Sequence, residues 1–236
     1  MKKLCELLEV KPGITVLIGG GGKTSLLYHL AEELRGRGTV LVCTTTKIWP
    51  PEHLPIFNEL HKVTEGLTQY GVVCAGAPTV KGKLGEPDFL WQSCADYILV
   101  EADGSAGRPL KAHETWEPVI PEGCNNTILV LGAGGFGKPI CEVAHRPAIY
   151  ASLAGVSEDS TATMSVIAKV VNSEDLHDRI FVNQTDTERE WEQIDQLAQL
   201  LDCPIVADVA ISCRFILDVS TLSQSMMVRC CNPVRI

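Results

Sequence analysis

A chain of 236 residues with 45% hydrophobic side chains can bury one substantial α/β core, so a single domain over residues 1–236 is the expectation. The 29 Asp and Glu against 20 Lys and Arg leave a formal charge of −9, which excludes the broad basic surface that a nucleic-acid partner requires. No apolar run approaches the roughly 20 residues that span a bilayer, and Glu6 and Glu9 interrupt the first segment, so a cytoplasmic chain with no membrane partner is expected.

In chain order, Ile14–Ile18 is a β-branched run that passes directly into glycine and then into Leu26, Leu27, Leu30, Ala31 and Leu34, apolar at helical spacing. Thr39–Cys43 follows as a second strand, and the stretch 71–88, rich in Gly and Pro, predicts a short hairpin or irregular excursion. Tyr97–Val100, Thr127–Leu131, Ile180–Val182 and Pro204–Ala207 are continuous apolar runs of the kind buried in parallel sheets. Between the last two, Thr187 and Glu190 form a capping box ahead of the apolar face Trp191, Ile194, Leu197, Ala198 and Leu201. Strands alternating with helices predict an α/β fold: three layers, a mostly parallel sheet with helices on both faces, P-loop NTPase-like. Beyond Val209 the pattern assigns little. The ten cysteines are scattered without C-x-x-C or zinc spacing, which fits reduced structural thiols, with the adjacent Cys230 and Cys231 as an alternative redox pair.

The run Gly19, Gly20, Gly21, Gly22, Lys23, Thr24, Ser25 lies between a buried strand and a helix. Such a turn offers consecutive backbone N–H groups to an anion, with the helix dipole behind them. Lys23 is expected on the β- and γ-phosphates of ATP or GTP, and the Thr24 hydroxyl on Mg²⁺. The long form of this loop has Gly where Leu17 stands, leaving the shorter G-x-x-G-K-T form of Gly19–Thr24, similar to the loop of Mur-type peptide ligases. A flexible glycine turn is the alternative.

A metal partner is expected at the end of another strand, and Tyr97–Val100 runs into Glu101 and Asp103. The expected assignment places Asp103 with Thr24 on the metal and Glu101 as a candidate base, against the alternative of solvated acids at a strand end. Arg108 and Lys111 follow, two cations placed to neutralise phosphoryl charge or to hold an anion. Thr44–Thr46 leaves the second strand at the same sheet edge, either to reach metal or phosphate or simply as β-formers.

Together the blocks GGGGKTS (Gly19–Ser25), TTTKIWPP (Thr44–Pro51), EADGSAGRPLKAH (Glu101–His113) with its trailing EPVIP, GKP (Gly137–Pro139) and HRP (His145–Pro147) resemble the YqeC family. What the resemblance implies is a nucleotide-binding accessory protein that assists maturation of a selenium-dependent molybdenum hydroxylase, with that hydroxylase or its cofactor as partner. It implies a setting rather than a reaction. NTP hydrolysis or phosphoryl transfer is one expectation and a non-hydrolytic nucleotide-switched binding protein another.

Two further motifs leave alternatives open. Asn183-Gln184-Thr185-Asp186 looks like the base-reading Asn-Lys-x-Asp of GTPases with Gln184 in place of Lys, or is a polar strand end before a helix. Gly132–Gly137 matches the dinucleotide fingerprint G-x-G-x-x-G, which requires a helix directly after it and a second strand ending in an acid. Gly155–Ser160 does not supply that strand, so a dinucleotide oxidoreductase is the third reading. The turn is otherwise a cover over the nucleotide, with Lys138, His145 and Arg146 able to contact an anion.

Overall fold

The structure, a computed structural model, describes residues 3–208; Cys213, Cys230 and Cys231 lie outside the described residues. The strands are β1 (Gly13–Gly19), β2 (Val40–Thr44), β3 (Ile56–Phe57), β4 (Val72–Ala75), β5 (Ala77–Pro78), β6 (Leu84–Gly85), β7 (Tyr97–Glu101), β8 (Leu110–Lys111), β9 (Cys124–Gly132), β10 (Ala144–His145), β11 (Arg179–Asn183) and β12 (Ile205–Ala207). The helices are α1 (Leu4–Leu7), α2 (Lys23–Leu34), α3 (Leu60–Tyr70), α4 (Ile140–Val143), α5 (Pro147–Ala154), α6 (Met164–Glu174) and α7 (Glu188–Ala198).

Eight strands form one sheet in the order β12-β11-β9-β1-β7-β2-β4-β3, and every neighbouring pair is parallel. The alternation of side chains along β1 divides the core. Ile14, Val16 and Ile18 pack on the face covered by α3 to α7, and Leu17 packs on the face covered by α1 and α2. On that second face Leu26, Leu27, Leu30 and Leu34 of α2 are fully buried, each worth roughly 1.5–3 kcal/mol of apolar transfer. The fold is the expected three-layer α/β architecture. Thr187 caps α7 by accepting from the Glu190 N–H, and Glu190 completes the box.

Several elements have no counterpart in the sequence reading, among them α1, β3, α3, α5 and α6. The stretch 71–88, expected as a short hairpin or irregular excursion, divides into β4, second from the sheet edge, and the antiparallel pair β5–β6. A four-residue strand is too short for its pattern to distinguish it from a turn flank, and α3 buries only Val63, Gly66 and Leu67. The seven described cysteines are free, and burial pushes the Cys5 thiol up to about 11 and Cys74 to about 12, as for inert core thiols. No helix among the described residues is long and apolar enough to cross a membrane.

Candidate functional site

The register of the central strands builds the site. Leu17 of β1 pairs with Glu101 of β7, and Glu101 pairs in turn with Thr44 of β2, so the glycine loop and the carboxylates leave the sheet side by side.

The loop's first three amides are committed inside the protein. Gly19 N–H donates to Asp103 Oδ2 (2.8 Å), Gly20 N–H to the Val130 carbonyl (2.9 Å) and Gly21 N–H to the Arg108 carbonyl (3.1 Å). The first bond of α2 runs from Leu26 N–H to the Gly22 carbonyl (3.1 Å), so the N–H groups of Gly22, Lys23, Thr24 and Ser25 have no partner within the helix. The loop N–H groups left free of internal partners therefore lie at the start of α2 rather than on the first glycines. Two features fix the loop's path. Gly21 has φ +65°, and a Cβ there would lie 2.2 Å from the Gly132 nitrogen; the Asn183 side-chain amide donates to the Gly21 carbonyl (2.8 Å).

Lys23 is 3% exposed and turned inward, so its ammonium is held within the protein instead of reaching over the loop. It donates to the Gly19 carbonyl (2.6 Å), lies 3.0 Å from Asp103 Oδ1 and is 3.9 Å from Glu101. Asp103, fully buried, also meets Lys111 Nζ (3.2 Å) and His113 Nε2 (2.7 Å). Burial penalises the Asp103 carboxylate, but the His113 hydrogen bond and the charges of Lys23 and Lys111 outweigh it and hold the group well below the usual range. Behind His113 stands Glu174 of α6, 2.9 Å from Nδ1, with a second oxygen accepting the His113 N–H (2.7 Å). Burial disfavours the imidazolium, yet Asp103 and Glu174 together raise its pKa. A further arm runs from Lys111 to Glu117, which Arg146 grips with both terminal nitrogens (2.6 and 2.8 Å). Burial works against this carboxylate too, but Arg146 and Lys111 bring Glu117 down to about 2.

Thr24 and Glu101 form the second half of the site. The Thr24 hydroxyl donates to Glu101 Oε2 at 2.7 Å. Sequence reasoning pairs Thr24 with Asp103 instead; the structure sets Glu101 there, because β7 ends at Glu101 while Asp103, two residues on, turns beneath the loop to take the Gly19 N–H. Burial raises the Glu101 pKa against the pull of Lys23 and Thr24, which marks a carboxylate short of positive charge. Among the described residues no group of three or more His, Cys, Asp or Glu is placed to hold a metal ion. Thr24 and Glu101 are the residues here that would hold Mg²⁺, a cation that takes oxygen ligands and keeps several waters.

The remaining expected residues divide. Lys111 joins the buried cluster, with its ammonium on the Gly104 carbonyl (2.6 Å). Arg108 is exposed and reaches the loop only through its carbonyl; Ser25 is exposed at the helix start. The Thr44 and Thr45 hydroxyls are committed to the carbonyls of Glu101 and Val119 (2.7 Å each). Asn183 braces the loop, and Asp186 is exposed ahead of the α7 cap, its N–H donating to Glu190. Gly132 opens a three-residue 3₁₀ turn followed by the four-residue α4, not the long helix the dinucleotide fingerprint requires. His145 pairs with Lys111 across β10–β8 and Arg146 is held by Glu117. His113, Glu117 and Glu174 were not among the expected site residues. The first two lie in or just after the block ending at His113, but nothing in the sequence marks Glu174.

The matching sequences cover part of this architecture. Residues 15–148, from β1 through the first turn of α5, match a family model described as YqeC protein. A protein of Escherichia coli (strain K12), described as an uncharacterized protein YqeC, is 36% identical over 177 residues, 69% of either chain. On both grounds the chain belongs to the YqeC family.

Proposed function

We propose that this protein binds a nucleoside triphosphate with Mg²⁺ at the start of α2. The observation that carries this is the Thr24–Glu101 hydrogen bond beside four helix-start N–H groups without intrahelical partners. The N–H groups of Gly22 to Ser25 would take phosphate oxygens, and Lys23 would leave Asp103 to meet them. Thr24 and Glu101 would hold the metal, which when bound offsets phosphate charge. Glu101 is then a metal-side carboxylate rather than a base. Asp103 keeps Lys111 and His113 when Lys23 departs, so the buried carboxylate stays matched. ATP and GTP are distinguished at the end of β11, where Asn183 is committed to the loop and Asp186 is the carboxylate left to meet a base.

The setting we propose is maturation of a selenium-dependent molybdenum hydroxylase, implied by the blocks between Gly19 and Pro147. Titration of ATP and GTP with and without Mg²⁺ tests the site. Lys23→Ala should weaken triphosphate binding by roughly tenfold or more, and Glu101→Gln should remove the Mg²⁺ dependence while leaving stability unchanged or raised. Unchanged affinity in Lys23→Ala would sink the assignment.

One observation favours a nucleotide switch over rapid hydrolysis: the Asp103–His113–Glu174 chain ties the Lys23 resting place to α6 on the far side of the sheet. Hydrolysis measured with and without the partner hydroxylase separates the two, since fast turnover by the isolated chain counts against a switch.

A further inference from the structure

The second glycine-rich turn, Gly132–Lys138, supplies none of the groups assigned to the triphosphate, yet it is built against that site, with Gly132 backbone packed on Gly21. Between this turn and the first turns of α7 is a cleft of about 220 Å³. Arg189 and Gln193 are one helical turn apart and so share a face of α7. Both converge on the turn: Gln193 Nε2 and Arg189 Nη2 lie 3.4 and 3.8 Å from where a side chain on Gly137 would begin. Lys138 follows directly, also lining the cleft. Among the described residues neither Lys138 nor Arg189 has an ion-pair or side-chain hydrogen-bond partner, although both are exposed beside a carboxylate-rich chain. The carboxylate that lines the cleft, Glu190, is already engaged by the N–H groups of Asp186 and Thr187 (2.8 Å each). The Gly134 and Gly135 N–H groups begin the 3₁₀ turn and have no carbonyl within it to meet.

We propose that this cleft is a second anion site, separate from the phosphate loop, which takes a compact phosphate-bearing small molecule against Lys138, Arg189 and Gln193. Its volume is below the ~300–1,000 Å³ of pockets that enclose drug-sized ligands, which suits a phosphate or pyrophosphate group rather than a whole nucleotide. Two cations lining one cleft with an amide donor recognise charge and oxygen geometry more than shape. A nucleotide-binding protein with such a neighbouring site handles two phosphorylated ligands at once.

The test is calorimetric titration of inorganic pyrophosphate into the full chain, into Lys23→Ala, into Lys138→Ala/Arg189→Ala, and into the triple variant. Both cleft residues are exposed, so their removal leaves the fold intact. The expected result is two sites in the unaltered chain, one lost with Lys23 and the other weakened roughly tenfold or more with Lys138 and Arg189. Saturating ATP·Mg²⁺ should leave the cleft site open to pyrophosphate. The inference is overturned if the cleft variants bind as the unaltered chain does, or if ATP·Mg²⁺ displaces pyrophosphate from the cleft. Loss of all binding in Lys23→Ala alone would overturn it while leaving the triphosphate reading standing. Loss of all binding in the cleft variants alone would do the reverse.

Discussion

Removal of the Asp103 charge should unfold the protein far more readily than removal of the Lys23 charge. Asp103→Asn leaves Lys23, Lys111 and His113 around a neutral amide, with Lys23 and Lys111 3.0 and 3.2 Å from its oxygens. Stranding one buried charge costs about 3–5 kcal/mol, and here Lys23 is the cation left short, since Lys111 keeps Glu117 and His113 keeps Glu174. For a chain of this length that cost corresponds to a fall in melting temperature of roughly 6–20 °C. Lys23→Met is different: Asp103 keeps Lys111, His113 and the Gly19 N–H. The losses there are the charged hydrogen bond to the Gly19 carbonyl, about 1.5–3 kcal/mol, and the ion pair with Asp103, both offset because no ammonium is then desolvated. Urea unfolding of both variants, followed by far-UV circular dichroism, gives the comparison directly. The reasoning is refuted if Lys23→Met is the less stable of the two, or if Asp103→Asn is within about 1 kcal/mol of the unaltered chain. The expected order has a functional corollary, namely that Lys23 is held where it can be released.

The same cluster sets a pH window. The His113 pKa is raised above its ordinary 6.5, so its contribution is complete below that value and is lost as pH rises through the shifted one; His113→Gln should flatten the alkaline side of a stability–pH curve. Asp103 and Glu117 are lowered from 3.8 and 4.5, so their contributions are present above those values and disappear in acid, a limb that His113→Gln should weaken but not abolish. Gly21→Ala should destabilise the loop by about 1–3 kcal/mol and reduce triphosphate affinity, because the new Cβ meets Gly132 backbone in a left-handed conformation. Unaltered denaturant midpoint and affinity in that variant would disprove the close approach.

What was legible in the sequence follows physical scale. Strands buried on both faces appear as unbroken apolar runs, so β1, β2, β7, β9, β11 and β12 were readable, and the Thr187–Glu190 box marked α7. The glycine loop was readable because its spacing carries its chemistry. The order of the sheet was not: that β7 inserts between β1 and β2 depends on long-range pairing, and this insertion sets Glu101 rather than Asp103 against Thr24. The inward turn of Lys23 was hidden for the same reason. His113 carried a local signal, standing two residues from Lys111, but its role depends on Glu174, 61 residues away, and no periodicity foretells that meeting.

The bracing of the glycine loop also bears on where the protein can be cut. The family match ends at residue 148, within the first turn of α5, yet Glu174 on α6 and Asn183 at the end of β11 both support residues inside the matched part. A fragment ending at 148 would expose the apolar edge of β9 and leave His113 facing solvent where a carboxylate belongs. The span that the family model covers is therefore shorter than the span that must be translated before the site can close. Expression boundaries, fusions and split versions of this protein belong outside the sheet, not at the end of the family match.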